Sequence, residues 1–141
     1  MVTLLLDSTQ LEVSLSGAER ALSFRREPVR IARDRIRKVQ LTDDAWTWIR
    51  GSRSAGTLVR GVLAMGTWKT AGGADFVIVR RHRAAVVIDL AGDPEFERVV
   101  LTTRHGNELV RALRLQTDAT PTDVVDIVTG AIALPREDAA R

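Results

Sequence analysis

The chain reads as a mainly β domain that ends in a helix, and three patterns predict this. Apolar and polar residues alternate early on, with Leu11, Val13 and Leu15 set against Glu12 and Ser14, the period of a half-buried strand. Further along, short runs of mostly β-branched residues, Phe76–Val79, Val86–Ile88 and Val99–Thr102, have the composition of buried strands. After His105 the period changes to that of an amphipathic helix.

Size and composition agree with one ordinary domain. A chain of 141 residues, 45% hydrophobic and 28% charged, can bury most of the surface that its unfolded form exposes. The absence of cysteine excludes disulfides, thiolate metal sites and cysteine nucleophiles, and fits a reducing compartment. Met1 to Leu6 is briefly apolar but lacks a basic flank and is interrupted by Asp7 and Glu12, so it does not read as a signal peptide. No uncharged run approaches the ~18 residues of a membrane span. The net charge is only +3, and arginine carries nearly all of the positive side, since Lys38 and Lys69 are the only lysines. Heavy use of Arg, Ala, Val and Asp suggests a GC-rich bacterial source, and the expected location is cytoplasmic or peripheral to the inner face of the membrane.

The elements follow in order. Ser16-Gly17-Ala18-Glu19 supplies a turn after the first alternating strand, and Ala21–Phe24 reads as its returning partner. Pro28 interrupts the run, as at an edge or bulge. Val29 and Ile31 alternate with Arg30, and Ile36, Val39 and Leu41 open another extended segment. Asp43 to Gly56 reads as an irregular loop holding Trp46 and Trp48, and Leu58 to Lys69 as one long strand carrying Gly61 and Gly66. Ala71-Gly72-Gly73 is a tight turn, Arg80-Arg81-His82-Arg83 a basic connection, and Ala91-Gly92-Asp93-Pro94 a break before the last strand. Asn107 can cap a helix with the apolar stripe Leu109, Val110, Leu113. A second helix is expected over Pro121–Leu134, started by Thr120, ended by Pro135 and followed by a frayed tail. The predicted organisation is therefore 1–116 as the β domain with its helix, and 117–141 as linker, short amphipathic helix and tail.

About seven strands followed by one amphipathic helix resemble the pleckstrin-homology-like (PH-like) superfold. The segments that carry the resemblance are Val29–Val39, Leu58–Leu63, Phe76–Arg80 and Val86–Leu90. The resemblance implies a partly open antiparallel barrel capped by the C-terminal helix, a scaffold used for binding lipid, peptide or protein, or for self-assembly. The lipid-binding members often carry a lysine early on the first hairpin; here the first strand has Glu12 and no lysine.

Two constellations stand out as candidate binding residues. The first is basic: Arg25, Arg26, Arg30, Arg33, Arg35, Arg37 and Lys38 crowd what reads as a hairpin. Such a cluster can hold phosphate or acidic lipid, or can be a solvated strand face that blocks edge pairing. The second is the loop with Trp46, Trp48, Arg50 and Arg53, where aromatics interleave with arginine. It can grip a peptide or stack bases, or the tryptophans can pack in the core. The low net charge and the lack of any RNA- or DNA-binding motif argue against nucleic acid. His82 and His105 have no companions at metal-ligand spacing, and no nucleophile elbow is present, so neither metal, cofactor nor catalytic group is predicted. The expected function is a non-catalytic protein-binding or assembly module. The alternative is recruitment to anionic membrane lipid through the arginine-rich segment.

Overall fold

A computed structural model describes residues 2–118. These residues belong to two compact units, Met1–Gly106 and Asn107–Arg141. The first unit contains all nine described strands, in two sheets. The small sheet has the order β1 (Thr3–Leu6), β2 (Gln10–Ser14), β3 (Val29–Ala32), all antiparallel. Its alternation is the one written in the sequence: Leu11, Val13, Val29 and Ile31 are buried, while Glu12 and Arg30 pair on the other face at 3.1 Å.

Between β2 and β3 the chain forms the helix α1 (Gly17–Ser23), not the turn and returning strand expected there. The cause is a reciprocal cap. Ser16 Oγ accepts the Glu19 backbone N–H at 3.2 Å, and a Glu19 carboxylate oxygen accepts the Ser16 N–H at 2.8 Å. Phe24 closes the helix in the left-handed region (φ 60°), an unusual place for an aromatic residue.

The large sheet has the order β4-β8-β9-β7-β6-β5, with β4 Ile36–Thr42, β5 Ser52–Val59, β6 Leu63–Lys69, β7 Ala74–Arg80, β8 Ala85–Leu90 and β9 Arg98–Thr102. Strands β5, β6 and β7 form an antiparallel meander. Strand β9 then enters between β7 and β8, parallel to the first and antiparallel to the second. The fold is thus mainly β with a C-terminal helix, as predicted, but the described strands number nine, one pair is parallel, and the sheets do not close into a barrel.

Three local expectations change with this topology. Arg25–Lys38 is not a hairpin, because β3 pairs with β2 in one sheet and β4 with β8 in the other. A single 3-10 turn, Arg33–Arg35, carries the chain between them. Leu58–Lys69 is two strands folded at Arg60-Gly61, with Val62 N–H donating to Val59 O at 2.9 Å. Gly66 faces Gly56 across the β5–β6 ladder with φ +142° and +125°, and a Cβ on either would run into the opposite backbone. Here the two strands touch closely enough to require glycine.

Alternation sorts the large sheet into two covered faces. One face presents Ala64, Trp68, Val77, Val79, Val87 and Val100, covered by the 3-10 turn Ala45–Trp48. The other presents Met65, Phe76, Ile78, Val86, Ile88 and Leu101, all fully buried. Helix α1 joins the large sheet through Thr57 Oγ1, which donates to Leu22 O at 2.8 Å, and through Arg80, which donates to Glu19 at 3.1 Å. Burial on both faces is why β7, β8 and β9 read as continuous apolar runs.

The described part of the second unit is the helix α2 (Gly106–Asp118), which starts one residue before the expected cap Asn107 and carries Leu109, Val110 and Leu113 at helical spacing. The helix expected over 121–134 and the tail beyond it lie outside the described residues. Among the described residues no helix is long and apolar enough to cross a membrane.

Candidate functional site

The position of β9 gives the two ends of the large sheet different characters. Strands β7 and β8 run antiparallel but are not neighbours, since β9 lies between them. Their connection, residues 81–84, must therefore bridge two strand spacings, roughly 10 Å, instead of folding back tightly. Four residues stretched over a strand end have little protein to rest on, and all four are exposed. Arg81 takes the left-handed conformation at φ 47°, a strained choice for a residue with a Cβ. Two bonds hold it there: its N–H donates to Val62 O at 2.7 Å, and its carbonyl accepts the Trp46 indole N–H at 2.7 Å.

The β6–β7 register, with Leu63 opposite Arg80, brings the β5–β6 turn alongside this bridge. Val62, Leu63, Arg80, Arg81 and Arg83 line an open depression of about 370 Å³. Arg60 sits at the tip of the turn, exposed. Arg60, Arg81 and Arg83 have no carboxylate partner among the described residues, whereas Arg80 is held by the buried Glu19. The exposed Asp43 and Asp44 stand beyond the end of β4, on the β8 side of the same edge. Positive charge without a partner is therefore concentrated over β5, β6 and β7.

At the opposite end of the sheet Arg25, Arg50 and Arg98 are held fast, while Arg35 and Arg53 are exposed there. Arg50 grips Asp75 with two bonds, at 2.7 and 3.1 Å, and reaches Glu97 at 3.5 Å. Asp75 is only 1% exposed, and the Arg50 guanidinium is held even more firmly protonated than usual by that carboxylate. Arg25 is bidentate on Glu95 at 2.6 and 3.1 Å and lies over the rings of Phe76 and Phe96. Arg98 bonds Asp89 at 2.7 Å and stacks over Trp48, 5.1 Å from the ring centre.

The residues picked from the sequence thus scatter. Trp46 and Trp48 lie on a 3-10 turn and pack against the core cluster; Trp48 also donates to Thr42 Oγ1 at 3.1 Å. Arg25 and Arg50 are structural ion-pair partners at the locked end. Arg33 donates to Asp7 O at 2.7 Å, and its Nε and Nη2 are buried without a hydrogen bond. Desolvation lowers its pKa, against the pull of Asp7. Arg26, Arg35 and Arg53 are exposed on three separate segments. The structure does not bring these eight residues together. It brings Arg81 and Arg83 alongside the turn that carries Arg60, where the sequence reading has a basic connection and the inside of one long strand. Their juxtaposition depends on the β6–β7 register, which no local pattern encodes.

No protein-family model, no curated protein and no solved structure matches this chain.

Proposed function

We propose that this chain is a non-catalytic binding module that holds an anionic partner on the turn end of its large sheet. The observation that carries the proposal is the contrast in pairing: Arg25, Arg50, Arg80 and Arg98 each have a carboxylate, while Arg60, Arg81 and Arg83 face solvent with none among the described residues. An unpaired guanidinium fork is ready for bidentate contact with carboxylate or phosphate. The strain at Arg81 supports the same reading, because a left-handed arginine is retained at some expense in stability and fixes the direction of its side chain.

The test is retention of a soluble polyanion or an anionic vesicle by the purified chain, either of which counts. The triple variant R60A/R81A/R83A should lose most of it with an unchanged melting temperature. Equal retention by the variant, or no retention by the wild-type chain, would overturn the proposal.

A further inference from the structure

Resting on that reading, we infer that the anionic partner is a lipid surface and that Val59 and Val62 enter it. The two valines are the first and last residues of the β5–β6 turn, closed by the Val62 N–H to Val59 O bond. They are 48% and 38% exposed, although their neighbours Leu58 and Leu63 are turned inward to half-burial. A Cβ built on Gly61, at φ +78°, meets nothing within 4 Å, so the turn has open space on that side. The molecule therefore displays an exposed turn with apolar shoulders.

Cations flank the two valines. Arg60 lies between the valines in sequence, Arg81 is hydrogen-bonded to Val62, and Arg83 shares the depression with Val62 and Leu63. Apolar side chains interspersed with arginines suit the boundary of an anionic bilayer, where phosphates lie over acyl carbon. Guanidinium groups bind the phosphates, and their methylene stems cover apolar surface. An acidic protein would satisfy the arginines as well, but charge alone leaves the two exposed valines among them unmatched. A lipid surface supplies phosphate and acyl carbon together. Glu19 does not oppose this arrangement, because it is buried against Arg80. Asp43 and Asp44, on the β8 side, would tilt the domain so that β5 and β6 approach the surface first.

The experiment compares two probes, phosphatidylcholine vesicles with and without phosphatidylglycerol, and soluble polyglutamate. The chain has no cysteine, so Val62→Cys carries a single environment-sensitive dye. The dye should shift to the blue only with phosphatidylglycerol present. Neutralising Arg81 or Arg83 should weaken vesicle partition about fivefold each, and high salt should weaken it further. V59S/V62S should weaken vesicle partition roughly tenfold and leave polyglutamate binding unchanged. Unchanged melting temperatures establish that the variants are folded. Vesicle binding indifferent to V59S/V62S would overturn insertion. Binding to polyglutamate without binding to vesicles would overturn the lipid inference and leave the binding proposal standing. Binding to neither would remove both.

Discussion

Two groups of arginines, one at each end of the large sheet, serve opposite purposes. At the end bearing the β6–β7 turn, Arg25 and Arg50 meet carboxylates within 2.6–3.1 Å. At the end bearing the β7–β8 bridge, Arg60, Arg81 and Arg83 meet none among the described residues. The difference teaches that the count of arginines in a segment says little about binding. What matters is whether the fold has already supplied each one with a partner. A paired, half-buried guanidinium is a fastening, and an unpaired one over a strand end is a contact surface.

The strongest way to break this comparison is at the locked end. Arg50→Ala leaves the Asp75 carboxylate buried without its main partner, and stability should fall by about 2–3 kcal/mol in denaturant titration. A loss below about 0.5 kcal/mol would mean that the pair fastens nothing. Glu19 provides a pH-dependent version. Burial opposes its ionisation, yet the Ser16 N–H and Arg80 outweigh burial and hold its pKa below the ordinary 4.5. The charged form is thus favoured in the folded state. Its contribution is complete above about pH 4.5 and lost as pH falls through the lowered value. Glu19→Gln keeps the helix cap through its amide oxygen, should cost about 1–2 kcal/mol at neutral pH, and should flatten the acid limb of stability against pH. Asp7, lowered by the Thr9 and Gln10 N–H groups, keeps part of that limb in the variant. An acid limb identical to wild type would show that Glu19 is not held ionised by its partners. The smallest effect belongs to the open end. Arg81→Gly relieves a left-handed arginine and should raise stability by up to about 1 kcal/mol while anion binding falls. Stability and binding that fall together would place Arg81 among the fastenings instead.

Much of the sheet was legible. Strands β7, β8 and β9 announce themselves as apolar runs because both their faces are covered. Helix α1 was legible too, through Ser16-x-x-Glu19, but seven residues give too short an apolar stripe to outweigh the alternation around it. The Trp46–Trp48 spacing suits a strand equally well, and only the packing of the 3-10 turn, Ala45 included, into the cluster that holds Val87 decides otherwise. The candidate surface was the least legible part. The basic run at Arg80–Arg83 is plain in the sequence, but its position over β9 and beside Arg60 comes from strand order and register, which interchangeable runs of valine and isoleucine do not specify.

The order of the strands also bears on how the sheet assembles. The meander β5–β7 needs only contacts between chain neighbours, and β4 with β8 makes the opposite flank. The strand that joins the two flanks is β9, the last of the described strands in chain order and the one that lies between them. Until it arrives, β7 and β8 are joined only by their four-residue link and each exposes an unpaired apolar edge. Completion of the sheet is therefore governed by non-local contacts, which makes slow folding the natural expectation. A nascent chain stalled before Arg98 would be prone to pairing with another chain through those edges.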